Sequence, residues 1–141
     1  MPKPPQVGFL GFGKMAEAIY AGAHQAKFLA PKNVCFAEAN LERATSVSKQ
    51  YHLTCLPTHA LIAKCQIVLI CVKPQNVHQL GLTKTKDKLY ISILAGTPLD
   101  TLARILGPQN SLIRVMPNTP AIVGAGMTAV CGNRQTKISQ R

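Results

Sequence analysis

The sequence predicts an α/β domain with a doubly wound, mostly parallel sheet, and three observations support this prediction. Short apolar runs alternate with segments of helical periodicity along most of the 141 residues. Residues 67–72 are apolar without a break, which is typical of a parallel strand covered on both faces. A glycine-rich turn separates the first apolar run from the first helical segment. Because strand–helix–strand units cross over with a right hand, we expect helices on both faces of one sheet.

The predicted elements follow in a regular order. Strands are predicted, the third and the last weakly, at residues 6–10, 34–37, 53–56, 66–72, 89–94, 111–115 and 127–131. Helices are predicted at residues 14–25, 41–51 (after Asn40 as N-cap), 59–63 and 76–82. The clearest helix signal comes later, with Thr97 as N-cap, Pro98 at the first helical position and Asp100 at the capping-box position. Gly107 ends this helix.

The composition argues against several classes of protein. The 16 lysines and arginines outnumber the 5 acids, but they are scattered and no tryptophan offers a stacking platform, so a nucleic-acid site is not favoured. The five cysteines form no C-x-x-C pair and the four histidines add no ligand spacing, so we expect no metal. Three of the cysteines lie within or beside apolar runs, as Cys71 does, which is typical of small, free, buried thiols. No apolar run approaches the about 20 residues of a membrane span, and no targeting segment is visible. These features predict a cytoplasmic protein without membrane contact.

The turn after the first strand has the pattern G-x-G-x-x-A. Gly11 permits a tight turn, Gly13 lets backbone N–H groups approach a phosphate, and Ala16 lets the helix pack closely on the strand. The N-terminus of that helix adds partial positive charge. Between a strand and a helix, this pattern predicts a pyrophosphate site for a nicotinamide dinucleotide, in a domain of residues 1–131. The alternative is a turn that serves helix–strand packing alone.

An acid at the end of the second strand usually holds the ribose hydroxyls of such a cofactor. Glu38 stands at that place. Its carboxylate would accept hydrogen bonds from a ribose and repel a 2′-phosphate, which favours NAD(H) over NADP(H). Lys32 and Arg43 are near enough in sequence to neutralise a 2′-phosphate, so both cofactors stay open. The alternative is a solvated acid at a strand end.

Four blocks of sequence resemble the pyrroline-5-carboxylate reductases. They are residues 7–16 (VGFLGFGKMA), 72–75 (VKPQ), 92–96 (SILAG) and 114–120 (RVMPNTP), the last followed by Val123-Gly124. The M-P-N-T-P block is the most specific, because a dinucleotide-binding domain in general does not need it. The resemblance implies NAD(P)H-dependent reduction of the small molecule 1-pyrroline-5-carboxylate to L-proline, a step of proline biosynthesis, by a homo-oligomeric oxidoreductase with a Rossmann-type cofactor domain.

The same resemblance implies the cofactor contacts. Glu38 and Thr58 depart from it, since many relatives carry Ser, Asn or Arg at the first position and Asn at the second. Lys73 is a candidate partner for a substrate carboxylate, with a solvated lysine as the alternative. The predicted cofactor-binding residues are Leu10, Gly11, Phe12, Gly13, Lys14, Met15, Glu38, Thr58, Cys71, Val72, Lys73, Pro74, Ile93, Leu94, Ala95 and Asn118.

The resemblance stops near Cys131. Relatives continue into a helical C-terminal half that contacts the substrate and forms the dimer, so the catalytic residues are unknown in this chain. Residues 132–141 are polar and basic and are expected to be a frayed end. We therefore expect a truncated reductase that binds cofactor with little or no turnover alone, because hydride transfer needs both reactants held together. A non-catalytic dinucleotide-binding module is the alternative, and the M-P-N-T-P block argues against a hydroxyacid dehydrogenase.

Overall fold

The computed structural model describes residues 4–140, which form one seven-stranded sheet with helices on both faces. The strands are β1 (Val7–Leu10), β2 (Val34–Ala37), β3 (Thr54–Cys55), β4 (Ile67–Ile70), β5 (Leu89–Ser92), β6 (Ser111–Pro117) and β7 (Thr128–Gly132). They lie in the order β3-β2-β1-β4-β5-β6-β7, and every neighbouring pair is parallel except β6 and β7. The predicted doubly wound, mostly parallel sheet is confirmed, and its strand order reverses between β1 and β4.

The helices agree with the sequence in place and differ in some boundaries. They are α1 (Lys14–Gln25), α2 (Leu41–Tyr51), α3 (Thr58–Lys64) and α4 (Leu99–Leu106), with 3₁₀ helices at Pro31–Asn33, Pro74–Leu80, Thr119–Val123 and Ile138–Gln140. Asn40 caps α2 as predicted, since its side-chain oxygen accepts the Arg43 N–H at 2.9 Å. The helix predicted at residues 76–82 is a 3₁₀ helix that begins at Pro74 and ends before Gly81, a residue in the left-handed region.

The predicted start of α4 is wrong by one residue. Pro98 occupies the N-cap with extended backbone angles, so the helix begins at Leu99. The Thr97 hydroxyl donates back to the Ala95 carbonyl at 3.4 Å and accepts nothing from the helix. A local side-chain hydrogen bond has therefore taken the place of the predicted cap.

Two apolar layers cover the sheet. One joins α3 and α4 to the sheet around Leu61, Tyr90 and Leu102. The other joins α1 and α2 to it and is rich in aromatic rings. The fully buried Phe12 lies there, with its ring centroid 5.3 Å from those of Phe9 and Phe36. Burying such a ring contributes about 1.5–3 kcal/mol, so the glycine-rich turn is anchored to the core through its middle residue.

The five cysteines differ in burial. Cys35 and Cys65 are buried, and their Sγ atoms lie 3.3 Å apart. Cys71 is half-buried. Cys55 and Cys131 are exposed, because β3 and β7 are the two edge strands.

Part of the segment expected to be frayed is hydrogen-bonded to β6. The Asn133 side-chain oxygen accepts the Leu112 N–H at 3.0 Å, and the Thr136 hydroxyl donates to the Leu112 carbonyl at 3.1 Å. Leu112 lies one residue beyond the ladder between β6 and β7, and its carbonyl also accepts the Asn133 backbone N–H at 2.9 Å, so residues 133 and 136 continue the bonding of β6 past the end of the ladder. The division of the chain at residue 131 stays a prediction. Among residues 4–140, no helix is long and apolar enough to cross a membrane.

Candidate functional site

A cleft of about 410 Å³ opens at the carboxyl ends of β1 to β4. This is the edge at which open α/β sheets bind ligands, beside the point where the strand order reverses. The volume lies within the range of about 300–1,000 Å³ that small-molecule sites occupy. The lining residues come from the segments after the four strands: Gly11, Gly13, Ala37, Glu38, Ala39, Leu56, Pro57, Thr58, Cys71, Val72, Lys73, Asn76, Gln79 and Leu80.

The two glycines of the turn have different structural roles. Gly11 has a φ of +83°, and a Cβ there would lie 2.8 Å from the Val72 Cγ1 and 3.0 Å from the Val72 backbone nitrogen. Only glycine fits this position without strain. Gly13 has an ordinary φ of −76°, and a Cβ there would meet nothing within 4 Å. Gly11 is thus required by the fold, whereas Gly13 leaves open space in front of α1.

The N-terminus of α1 is open. Gly13 is its N-cap and no side chain caps the helix, so N–H groups of the first turn have no side-chain partner. The macrodipole places partial positive charge there. Ala16 is only 1% exposed, which lets the start of the helix pack close to the sheet. Oriented donors next to empty space can bind an anion such as a phosphate.

Both backbone groups of Phe12 are held by side chains from the β2–α2 connection and from α2. The Phe12 N–H donates to Glu38 Oε2 at 3.0 Å, and Glu38 Oε1 accepts the Asn40 N–H at 3.1 Å. The Phe12 carbonyl accepts from Arg43 Nε at 3.0 Å. Each Glu38 oxygen keeps a free lone pair for a further donor, and Glu38 lines the cleft.

The Arg43 side chain is itself held by an ion pair. Its Nη2 lies 2.6 Å from Glu17 Oε2, and the Tyr51 hydroxyl donates to Glu17 Oε1 at 2.7 Å. Burial works to raise the pKa of Glu17, but the hydrogen bonds from Arg43 and Tyr51 outweigh it and hold that pKa below its usual value. Burial and the hydrogen bond to Glu17 raise the pKa of Tyr51 to about 12. At neutral pH the carboxylate is charged and the phenol is neutral, so every bond has its donor and its acceptor.

The cleft brings together part of the predicted set. Its walls include Gly11, Gly13, Glu38, Thr58, Cys71, Val72 and Lys73. Thr58 is the first residue of α3, and Lys73 is exposed just before a 3₁₀ helix. Burial raises the pKa of the Cys71 thiol to about 12, so this side chain is a neutral part of the wall.

The other predicted residues lie outside the cleft walls. The side chains of Leu10 and Phe12 are buried in the core, while Lys14 and Met15 begin α1 and Pro74 begins the 3₁₀ helix. Leu94 is only 1% exposed, and Ile93 and Ala95 follow β5. Asn118 accepts the Met127 N–H at 2.9 Å, which closes the loop between β6 and β7. The residues after β5 and β6 share the carboxyl edge of the sheet with the cleft. The assignment of all these residues to a cofactor stays a prediction.

The sequence analysis missed several residues of the wall. Leu56 and Pro57 follow the two-residue β3, which was too short to mark its end clearly. Gln79 and Leu80 come from the far end of the 3₁₀ helix that follows β4. Leu56 and Pro57 directly follow a strand end, so applying the rule that strand ends form the site to β3 would have found them. Gln79 and Leu80 lie a full 3₁₀ helix beyond β4, and only the fold of that helix brings them to the cleft.

Two basic residues that were candidates for a 2′-phosphate are placed differently. Lys32 precedes β2 and therefore lies at the amino edge of the parallel strands, opposite the cleft. Arg43 is near the turn, but its Nε and Nη2 are bonded to Phe12 and Glu17. Among residues 4–140, no three His, Cys, Asp or Glu side chains are grouped to hold a metal ion.

The sheet order, the uncapped helix after β1 and the cleft at the reversal point define a Rossmann-type α/β domain. Residues 6–96 match the sequence family described as NADP oxidoreductase, coenzyme F420-dependent, and this chain belongs to that family.

Several similar proteins are pyrroline-5-carboxylate reductases. The chain is 37% identical over 139 residues to the pyrroline-5-carboxylate reductase of Synechocystis, covering 96% of this chain and 52% of that protein. The crystal structure of the Streptococcus pyogenes 1-pyrroline-5-carboxylate reductase is 31% identical, with a TM-score of 0.82 over 96% of this chain and 51% of that one. The Plasmodium falciparum pyrroline carboxylate reductase with NADP bound is 26% identical, with a TM-score of 0.79 over 96% and 51% of the two chains. The predicted resemblance is confirmed, and the chain spans about half the length of these relatives.

Proposed function

We propose that this chain binds a nicotinamide dinucleotide, NAD(H) or NADP(H), and forms the cofactor-binding half of a pyrroline-5-carboxylate reductase. The open N-terminus of α1 beside the cleft carries the proposal. Donors of its first turn are oriented towards a pyrophosphate, and the cleft behind Gly11 and Gly13 accepts the adenosine half. The bound cofactor supplies hydride to the C=N carbon of 1-pyrroline-5-carboxylate, whose nitrogen takes a proton to form proline.

Glu38 supports a preference for the cofactor without a 2′-phosphate. It lines the cleft at the end of β2 and presents a carboxylate with free lone pairs to a ribose. A phosphate at the same place would meet this negative charge, and the guanidinium of Arg43 is paired with Glu17. We therefore expect NADH to bind more tightly than NADPH.

The substrate assignment is supported by the relatives and by the placement of the M-P-N-T-P block. The block begins with the last two residues of β6, which runs parallel to β5, and therefore lies at the carboxyl edge of the sheet. Asn118 and the adjoining 3₁₀ helix (Thr119–Val123) follow there. That helix packs near α1, whose N-terminus is the proposed phosphate site. A nicotinamide ring reaching along this edge from α1 would meet the segments after β5 and β6.

Binding and turnover by the purified chain test the proposal separately. NADH and NADPH are titrated by isothermal calorimetry, and then NADH oxidation is followed with and without 1-pyrroline-5-carboxylate. We expect NADH binding with little or no oxidation, because the proposed cofactor-binding half does not by itself hold the substrate against the nicotinamide. Substrate-dependent oxidation at enzyme-like rates would show that the chain acts as a reductase by itself, and absence of binding would contradict the proposal.

Glu38→Arg tests the cofactor preference. The ratio of NADPH to NADH affinity should rise by about tenfold or more, because the substitution replaces a carboxylate that repels the 2′-phosphate with a guanidinium that attracts it. A tenfold change corresponds to about 1.4 kcal/mol of binding free energy. The ratio cancels any disturbance of the turn that affects both cofactors. Lys32→Ala, at the opposite edge of the sheet, should leave the ratio unchanged. An unchanged ratio in Glu38→Arg would show that Glu38 does not face the ribose.

A further inference from the structure

The two peptide units on either side of Phe12, at the candidate phosphate site, are each held by a side-chain hydrogen bond. The Phe12 ring is fixed in the aromatic cluster, and its two neighbours are glycines, which have a wider range of backbone angles than other residues. Anchoring the ring alone therefore does not set the orientation of the two adjoining peptide planes. Glu38 fixes the first plane through the Phe12 N–H, and Arg43 fixes the second through the Phe12 carbonyl.

The second plane contains the Gly13 N–H. A trans peptide is planar, so this N–H points away from the Phe12 carbonyl. Because the carbonyl accepts from Arg43 on α2, the Gly13 N–H points away from the Arg43 side chain, and Gly13 itself lines the cleft. If this peptide turned over, the carbonyl would replace the donor and repel a phosphate.

From this geometry we infer that Arg43 is a positioning residue, which holds the Phe12–Gly13 peptide so that its N–H is presented to the cofactor pyrophosphate. The inference rests on the proposed cofactor binding and adds a residue to it. Glu17 and Tyr51 hold the Arg43 guanidinium in place, through the ion pair at 2.6 Å and the hydrogen bond from Tyr51 to Glu17 at 2.7 Å. We call Arg43, Glu17 and Tyr51 the Arg43 clamp. Because Glu17 belongs to the first turn of α1, the clamp also joins the proposed phosphate-binding helix to α2.

The competing role for Arg43 is direct contact with a 2′-phosphate. The two roles predict different patterns of loss. A residue that contacts the 2′-phosphate affects NADPH alone, whereas a residue that orients the turn affects every ligand with a pyrophosphate, including NADH and ADP-ribose. The observed bonding of both Nε and Nη2 within the protein favours the second role.

Arg43→Leu is the test, with Arg104→Leu as the matched control. Arg104 is an exposed arginine on α4 whose Nη2 bonds the Thr101 hydroxyl, remote from the turn. Hydrogen bonds to charged groups contribute enough that Arg43→Leu should weaken NADH, NADPH and ADP-ribose alike, by about ten- to a hundredfold. Arg43→Lys, which keeps the charge without the fork, should recover part of the loss. Arg104→Leu should stay within about twofold of the unmodified chain by the same conversion.

A second readout does not depend on ligand. In ¹H–¹⁵N spectra of the chain alone, Arg43→Leu should shift the Gly13 amide resonance and speed its hydrogen exchange, while Arg104→Leu leaves both unchanged. If Arg43→Leu does not fold, Glu17→Gln replaces it, and it should show the same changes to a smaller extent.

The outcomes separate the inference from the function on which it rests. If the unmodified chain binds no dinucleotide, the proposed function fails. The Gly13 amide then tests the positioning role by itself, and a resonance and exchange rate that are the same in Arg43→Leu would show that Arg43 does not hold this peptide. If the unmodified chain binds NADH and Arg43→Leu binds it equally well, the clamp has no role in binding and the inference is overturned. A loss confined to NADPH overturns it in favour of direct phosphate contact.

Discussion

Replacing Gly11 by alanine tests how far the turn depends on a glycine, and Gly13→Ala is its matched control. Alanine at position 11 must adopt a φ of +83°, a region that costs a non-glycine residue about 1–3 kcal/mol. Its Cβ would also lie 2.8 Å from the Val72 Cγ1 and 3.0 Å from the Val72 nitrogen. The nitrogen belongs to the backbone and cannot rotate away, and such overpacking costs about 1–3 kcal/mol more.

These penalties are only slightly offset in the unfolded chain. Alanine restricts the unfolded ensemble and returns about 0.4–1 kcal/mol. We therefore expect Gly11→Ala to lower the free energy of unfolding by about 1–5.5 kcal/mol, a large share of the about 5–15 kcal/mol of an ordinary domain. Urea denaturation followed by circular dichroism measures this change, and an unaltered m-value shows that the same surface is exposed on unfolding.

Gly13→Ala should change cofactor binding and leave the stability of the fold almost unchanged. Its φ of −76° suits alanine and its Cβ would meet nothing within 4 Å, so we expect a stability change within about 1 kcal/mol. The added methyl occupies the space in front of α1, so NADH affinity should fall while stability is kept. Equal stability of Gly11→Ala and the unmodified chain would refute the reasoning about the turn. Equal destabilisation by both substitutions would refute the distinction between the two glycines.

Three further predictions concern other parts of the molecule. The buried Asn110 side chain accepts the Lys88 N–H at 3.1 Å and donates to the Thr85 and Leu106 carbonyls at 3.0 and 2.8 Å. Asn110→Ala should therefore lower the free energy of unfolding, measured in urea, by about 2–4 kcal/mol. The control Gln109→Ala, at an exposed neighbour, should lower it by less than about 0.5 kcal/mol. A thiol reagent should react rapidly with the exposed Cys55 and Cys131 in the native chain, more slowly with the half-buried Cys71, whose thiol pKa is raised by burial, and with Cys35 and Cys65 only after unfolding. The pKa of Tyr51 is raised to about 12, from about 10 in the unfolded chain, so its stabilising bond to Glu17 is fully present below pH about 10 and lost between about 10 and 12. The difference in unfolding free energy between the chain and Tyr51→Phe should shrink over that range.

Each of these predictions has a contrary result. Similar unfolding midpoints for Asn110→Ala and Gln109→Ala would mean that the buried amide contributes nothing. Fast reaction of Cys35 or Cys65 in the native chain would contradict the burial of these two thiols. A Tyr51→Phe difference that stays constant from pH about 9 to about 12 would show that the phenol does not donate to a carboxylate.

Local patterns predicted most of the secondary structure. The uninterrupted apolar run became β4, and Asn40 caps α2 as its residue type suggests. The start of α4 was missed because Thr97, Pro98 and Asp100 all suit the N-terminus of a helix. These residue types allow the helix to begin at Pro98 or at Leu99. At Thr97 the hydroxyl turned back to the Ala95 carbonyl, which sequence spacing does not reveal.

The burial of the cysteines shows a second limit. Apolar neighbours in sequence predict that a side chain is buried only if the strand lies inside the sheet. Cys35 and Cys65 are buried against each other, whereas Cys55 and Cys131 lie on edge strands. Strand order decides this, and strand order depends on pairing between distant segments.

The sequence by itself determined the glycine-rich turn, the alternation of strands and helices and the carboxyl edge as the place of the site. These properties follow from backbone conformational preference and apolar periodicity, which act over a few residues. Only the tertiary structure decided what surrounds the turn. Glu38 and Arg43 reach Phe12 across 26 and 31 residues of chain, because β2 pairs with β1 and brings the start of α2 beside the start of α1. That pairing converts a carboxylate and a guanidinium, each of which the sequence offered as a ribose or phosphate ligand, into the supports that hold both peptide planes of the turn.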